Sequence, residues 1–212
     1  RDKDQSYFLF SLTQGQLAHA MFPVGHLTKD EVRAHARERG LAVAAKPDSH
    51  EICFVPDGDA AGFVERRAET PLPEAEVVDT AGRVLGTHRG VHGLTVGQRK
   101  GLGIAAGVPL YVLRLDAEES RVVVGLREEL ASRELTASEV NWISGEAPCE
   151  PRRVTARIRH RHTDAPATVT STGAGRAHVL FDDAQIAITP GQAVVFYDRD
   201  DVIGGGWIEK HG

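Results

Sequence analysis

Cys53 is the residue of this chain best suited to covalent chemistry. It lies in AAKPDSHEICFVPDGD, Ala44 to Asp59, with Lys46, Asp48, His50, Glu51, Asp57 and Asp59 crowded around it. A cysteine attacks as thiolate, and thiolate needs nearby positive charge or a helix N-terminus. Lys46 and His50 favour it; Asp48, Glu51 and Asp57 oppose it. If EICFV is extended, Ile52 and Phe54 point one way and Cys53 the other. These residues leave two readings open: a small buried thiol that packs as a hydrophobe, and a nucleophile or sulfur carrier. A cysteine hydrolase using Cys53 with His50 or another histidine is a third, but no Asn or Asp partner stands in a recognisable setting. His50 and Cys53 also have ligand-like spacing. Cys149 is the only other cysteine and sits far away in GEAPCEP, so no structural metal site is expected, and Cys149 reads as incidental.

Two further stretches carry cations in patterns suited to phosphate. In GLTVGQRKGLGI, Gly93 to Ile104, the glycines allow close backbone approach while Gln98, Arg99 and Lys100 form the polar tip. It is not a Walker loop, and a tight turn with solvated basic tips accounts for it equally well. In RRVTARIRHRHTD, a strand would set Arg153, Thr155, Arg157, Arg159 and Arg161 on one face and Val154, Ala156 and Ile158 on the other, with His160 and His162 continuing it. Four arginines spaced two apart would run along roughly 20–27 Å of strand. With no acid on that face they repel one another, which favours a polyanionic partner such as an RNA backbone; a solvated barrel face is the plainer reading. KDQSYF, with Lys3, Asp4 and Gln5, reads unaided as a helix start.

The elements that must hold these residues are short. The chain has 212 residues, 41% of them hydrophobic and 26% charged, with a formal net charge of −5. It can therefore bury a core, and its mild acidity argues against a protein that coats nucleic acid over its whole surface. Twenty-two glycines and ten prolines point to many turns and a β-rich fold. Two cysteines make no disulfide framework, and no stretch is long enough to span a bilayer or resembles a leader peptide. The cytosol is the simplest compartment. Residues 1–45 read as helical: Thr13 with Gln16 and Thr28 with Glu31 have capping-box spacing. Pro23 should end the first helix and Gly40 the second, with Val32 and Ala36 inward and Arg33, Arg37 and Glu38 in water. From about residue 74 the period becomes two. EAEVVDTAGRVLGTHRG reads as strand, turn at Ala81-Gly82, strand. PLYVLRLDAEESRVVVGL reads as a hairpin with Tyr111, Leu113 and Leu115 alternating. REELASRELTAS reads as a linker, and five strands follow in a small barrel or sandwich. The opening RDKDQSYFLF, with an apolar run so near the terminus, reads as a segment cut from a longer protein.

KDQSYFLFSLTQGQL, FPVGHLTKDEVR, KPDSHEICFV, GLTVGQRKGLGI, RIRHRHTDAPA, TPGQAVVFY and GGGWI, taken together and in order, resemble the bacterial tRNA-specific 2-thiouridylase family (MnmA, also called TrmU). The resemblance implies a mainly β fold with a short N-terminal α segment. It divides the chain into residues 1–60, a helical remnant of an ATP-binding domain with the Cys53 loop; 61–130, a central SH3-like or β-barrel-like domain; and 131–212, a translation-factor-like β-barrel. It implies replacement of the C2 oxygen of the tRNA wobble uridine by sulfur, with ATP and Mg²⁺ activating the base. Cys53 would carry the sulfur as a persulfide, received from a cysteine desulfurase or a sulfur-relay protein. A second cysteine in a preceding PP-loop domain would complete the reaction, releasing sulfide or forming a disulfide. Lys3, Asp4, Gln5, Arg159, His160 and Gln192 match tRNA-facing positions; Gln98, Arg99 and Lys100 match no single step. No SGG-type PP-loop occurs in these residues, so this chain alone is expected to grip tRNA without completing thiolation. A non-catalytic RNA-binding β module is the alternative.

Overall fold

In the computed structural model, residues 4–46, 54–55 and 57–209 are described. They form two compact units: Arg1–His50 with Leu135–Asp182 and Pro190–Gly212, and Glu51–Glu134 with Asp183–Thr189.

The N-terminal segment is less helical than its sequence suggests. A 3₁₀ turn, Ser6–Leu9, is followed by a single α-turn α1 (Gln14–Leu17), then α2 (Lys29–Glu38) and a second 3₁₀ turn, Ala42–Ala45. Both capping boxes form, with Thr13 answered by Gln16 and Thr28 by Glu31, because each hydroxyl and each acceptor satisfies an otherwise orphaned N–H. α1 stops well before Pro23, so the proline does not terminate it; Gly15 inside a single turn gives little helical persistence. Gly40 closes α2 with φ +64°, as its C′ position requires. Arg33 is half-buried like Val32 and Ala36, not solvated like Arg37 and Glu38.

In the second unit, α3 (Ala60–Arg67) precedes β1 (Ala75–Val78), β2 (Val84–His88), β3 (Tyr111–Asp116) and β4 (Arg121–Gly125), joined in a sheet of order β2-β1-β4-β3. β1 and β2 are antiparallel and turn at Gly82, where φ is +80°. β3 and β4 form the expected hairpin, but a bulge between Val112 and Arg114 breaks the alternation. Val112, not Tyr111, is therefore the residue at 0% exposure, packed with Ala75, Val77, Leu94, Leu102, Val122 and Val124.

The remaining strands are β5 (Ala131–Trp142), β6 (Arg152–Arg157), β7 (Ala165–Gly173), β8 (Arg176–Ile186), β9 (Ala193–Asp198) and β10 (Asp201–Ile208). They close into a barrel in the order β10-β5-β8-β7-β6-β9. The stretch expected as linker is thus largely β5, the sixth strand that removes the free edge; its many charged residues sit on exposed positions while Leu135 and Ala137 are fully buried. Strands β7 and β8 alternate, with Ala167, Val169, Val179 and Phe181 inward. β9 does not alternate: Ala193 to Tyr197 are all buried. Val194 and Phe196 belong to the alternate set, while Ala193, Val195 and Tyr197 are covered by Tyr7 and Phe10 of the N-terminal segment. A strand buried on both faces reads as a continuous apolar run.

Candidate functional site

The N-terminal 3₁₀ turn is a strap on the barrel. In such a turn residues three apart share a side, so Tyr7 and Phe10 face inward, each 4% exposed, while Phe8 is 54% exposed. The Tyr7 hydroxyl donates to the Ala193 carbonyl at 2.8 Å, and burial pushes its pKa up to about 12. Asn141 of β5 holds the strap from the other end, donating to the carbonyls of Phe10 at 2.7 Å and Leu12 at 3.0 Å. Phe10 can lie close only because β10 carries Gly204-Gly205-Gly206 there. A Cβ on Gly205 would come within 2.7 Å of the Phe10 ring and of the Val194 carbonyl oxygen, and one on Gly206 within 2.6 Å of the Ser138 carbonyl oxygen.

This strap brings together residues that the sequence holds far apart. His160 stacks on Phe8, with centroids 4.9 Å apart and planes 32° from parallel, and meets Tyr7 edgewise at 5.9 Å. Gln192 is exposed beside Ala193, the residue Tyr7 bonds, and its carbonyl accepts the Ile208 N–H at 2.8 Å. Asp4 accepts the Ser6 N–H at 2.8 Å. Partial burial would raise the Asp4 carboxyl, but the Ser6 N–H and hydroxyl and the field of Arg157 hold it below its usual range. Asp4, Gln5, Arg159, His160 and Gln192 thus share one region of the first unit. Lys3 lies outside the described residues.

The arginine stripe is corrected by the structure in two respects. β6 ends at Arg157, and Arg159 to Arg161 fall in a turn, so the row is not continuous. The face also has acids, supplied by neighbouring strands and the following loop. Arg153 makes a bidentate pair with Asp182 at 2.8 and 2.7 Å. Arg157 does the same with Asp164 at 2.6 and 3.1 Å and lies over the Tyr197 ring at 5.0 Å. Arg152 bonds Asp198 at 2.9 Å. The hydrogen bonds to Asp182 and Asp164 raise the already high pKa of Arg153 and Arg157 respectively. Val154, Ala156 and Ile158 are buried as expected. His162 is half-buried with no partner for Nδ1 among the described residues. Burial, helped by Arg159, lowers its pKa.

Residues 47–53, Ile52 and Cys53 among them, lie outside the described residues, so the alternation expected of EICFV is not described. Phe54 sits in a turn and is 63% exposed, while Val55 is buried at 3%. The Phe54 ring packs on Phe63 of α3 at 5.4 Å, and Arg67 lies over the other aromatic at 4.7 Å. Asp57 and Asp59 both face Arg66, at 3.3 and 3.7 Å. The acids that follow Cys53 are therefore partly compensated, which the sequence alone did not reveal. Cys149 is exposed and free.

In the glycine-rich loop, Gln98 is a brace. Its side chain accepts the Thr95 N–H at 3.0 Å and donates to the Lys100 carbonyl at 2.9 Å, while its backbone carbonyl accepts Val112 N–H at 2.9 Å. Arg99 and Lys100 stay exposed. Gly97, Gly101, Gly103 and Gly107 all have φ between +70° and +87°, a region other residues enter only with strain. The loop borders an open cleft of 640 Å³ lined by Arg99, Leu102, Ile104, Val108 and Leu110 among others. Among the described residues no group of three or more His, Cys, Asp or Glu could hold a metal ion, and no helix is long and apolar enough to cross a membrane.

A closed barrel carrying an aromatic strap, a small mixed sheet and a short helical lead-in make this a modular, mainly β protein. Residues 1–57 match the family described as tRNA methyl transferase HUP domain, 62–126 the tRNA methyl transferase PRC-barrel domain, and 132–208 the aminomethyltransferase beta-barrel domain. Over 213 residues the chain is 52% identical to the tRNA-specific 2-thiouridylase MnmA of Koribacter versatilis, covering 98% of this chain and 58% of that protein. The corresponding figures for the MnmA of Syntrophotalea carbinolica are 50% identity over 208 residues, with 98% and 59% covered. For that of Halothermothrix orenii they are 46% over 210 residues, with 99% and 59% covered. The chain belongs to the MnmA family of tRNA-specific 2-thiouridylases, and it spans a little under three fifths of the length of these relatives.

Proposed function

We propose that this chain takes part in 2-thiolation of tRNA: Cys53 carries sulfur as a persulfide toward C2 of the wobble uridine, while the barrel and its strap hold the tRNA. The observation that carries this reading is the convergence of Asp4, Gln5, His160 and Gln192 around Tyr7. A surface assembled from three distant segments, with exposed Arg159 and Arg161 on the adjoining turn, suits a folded RNA better than a small molecule. Positioning by backbone contacts and shape is how such a substrate is held, and its uridine must leave the stack before C2 can react.

The sulfur step conserves electrons. The Cys53 thiolate attacks the terminal sulfur of a donor persulfide, the donor cysteine leaves as thiolate, and Cys53 gains one sulfur. Its own persulfide, more acidic than a thiol and less dependent on local activation, is then the nucleophile: its terminal sulfur bonds C2 as the activated oxygen leaves. A second cysteine thiolate, expected in a preceding domain, attacks the Cys53 sulfur, forming a disulfide with it while the C2-bound sulfur departs as the thiouridine. Arg66, set between Asp57 and Asp59, offsets the acidic charge that would otherwise oppose the anion. ATP with Mg²⁺ would make the uridine oxygen a leaving group, but the described residues offer neither a metal-ligand cluster nor a Walker-type phosphate loop, so no step of that activation is assigned to them.

The test is intact mass spectrometry after incubation with a cysteine desulfurase and cysteine, for the unmodified chain, Cys53→Ser and Cys149→Ser. One added, reductant-sensitive sulfur lost only in Cys53→Ser is expected; sulfur gained equally by all three would remove Cys53 from the role. Supplying tRNA, ATP and Mg²⁺ as well should give no 2-thiouridine from this chain alone, and nucleoside analysis that finds it would overturn that part. A non-catalytic RNA grip, which the strap and barrel would provide by themselves, predicts that Cys53→Ser changes nothing measurable.

A further inference from the structure

The arginines of β6 are engaged by Asp182, Asp164 and Asp198, so a row of phosphate contacts cannot be the main feature of this face. What the face does present is aromatic. We infer that Phe8 is a stacking platform for an unpaired nucleobase of the bound RNA, with His160 as its backing ring; the inference rests on the tRNA reading given above.

Phe8 is held in place by its neighbours. Tyr7 and Phe10 on either side are buried and fix the strap by a hydrogen bond and by packing under β10. His160 covers one face of the ring and Tyr7 meets it edge-on at 5.3 Å, while more than half of the side chain is in water. An aromatic residue anchored this firmly, stacked on His160 and yet 54% exposed, leaves apolar ring surface in water; that surface suits a flat π system. Every nucleobase has one, and stacking on a protein ring is tolerant of sequence. The polar surroundings fit an RNA strand: Arg159 and Arg161 on the adjoining turn are exposed cations, and Gln192 and Gln5 are exposed amides. Asp4 is exposed on this face, its carboxylate accepting the Ser6 N–H and partly offset by the field of Arg157. A double-stranded segment offers no free base face, so the contact selects looped-out or single-stranded nucleotides.

The test uses the 212-residue chain and an RNA anticodon stem-loop with 2-aminopurine at one unpaired position at a time. Binding to the unmodified chain is expected to quench the fluorescence at one loop position. Phe8→Ala should lower affinity by about 5- to 150-fold and abolish that quenching. Phe8→Leu, which keeps apolar bulk, should resemble Phe8→Ala, and Phe8→Tyr should restore binding. The slope of affinity against salt should not change in any Phe8 variant, because no phosphate contact is lost; thermal unfolding of each variant checks that the barrel is intact. Unchanged affinity and quenching in Phe8→Leu would overturn the inference and leave the tRNA reading standing. A loss of affinity with quenching retained would overturn it too, reducing Phe8 to a structural part. If Phe8→Leu binds RNA normally but accepts sulfur from the desulfurase more slowly, the face is a protein dock and the inference is wrong. Failure of the unmodified chain to bind the stem-loop even at low salt would remove both the tRNA reading and this inference.

Discussion

Gly205→Ala should loosen the strap from the barrel, and the size of the effect follows from the geometry. The new methyl would stand 2.7 Å from the Phe10 ring and 2.7 Å from the Val194 carbonyl oxygen, against the roughly 3.5–4.0 Å that carbon atoms need for ordinary contact. The Val194 oxygen belongs to the strand paired with β10 and cannot retreat without straining the ladder. The Phe10 ring can retreat, but only by giving up its burial. Overpacking of this kind typically costs about 1–3 kcal/mol, and outright loss of a buried Phe costs about 3–5 kcal/mol. A destabilisation of about 2–3 kcal/mol is expected for Gly205→Ala. Phe10→Ala should cost a similar amount, capped by the free energy of lifting the strap. The double variant should cost less than the sum, by about 1–2 kcal/mol, because the ring clash no longer exists and only the Val194 contact remains; neighbouring sites couple on this scale. Urea unfolding followed by tryptophan fluorescence measures it directly, since Trp207 meets Phe10 edgewise at 5.6 Å, and Trp142→Phe leaves Trp207 as the only fluorophore of its kind. A neutral Gly205→Ala, or strict additivity with Phe10→Ala, would refute the account of why this strand carries three successive glycines.

Three other expectations follow, two read by the same unfolding measurement and one by amide exchange. Asp164→Asn should destabilise by about 1–2 kcal/mol, between the values for exposed and fully buried pairs, whereas Asp182→Asn should leave the midpoint nearly unchanged, because the Asp164–Arg157 pair is 34% and 16% exposed and the Asp182–Arg153 pair 48% and 61%; equal losses at the two sites would contradict the ranking. Thr28→Ala should cost about 1 kcal/mol of helix stability and show as reduced amide protection over Lys29–Glu38, and unchanged protection would mean that packing alone holds that helix. His162 is stabilised in its neutral form, chiefly by burial; its folded pKa lies below the unfolded value of about 6.5, so its contribution is complete above that pH and declines as the pH falls below it. His162→Gln should flatten the decline in stability between neutral and mildly acidic pH, and an identical slope in both proteins would assign the pH dependence to other groups.

Local signals determined a good part of this protein. Capping boxes at Thr13 and Thr28 are legible because donor and acceptor lie three residues apart and need nothing else. Turns at Gly82 and the β3–β4 hairpin are legible because period two and turn chemistry are local as well. Cys53 and the positions proposed to meet tRNA stood out through the family blocks that contain them rather than through charge or periodicity. Tertiary structure decided what depends on partners distant in sequence. β5 is a strand despite its charges because the barrel needs a sixth member to close, which no window of sequence shows. The arginine row looked unopposed because Asp182, Asp164 and Asp198 reach it only once β6 has neighbours. Gly204-Gly205-Gly206 is uninformative until Phe10 and the Ser138 carbonyl are seen pressed against it. The region around Phe8 exists only because a strap near the start of the chain lies on a strand near its end: its energy comes from burying Tyr7 and Phe10 against β9, and that burial is what leaves the ring between them facing water.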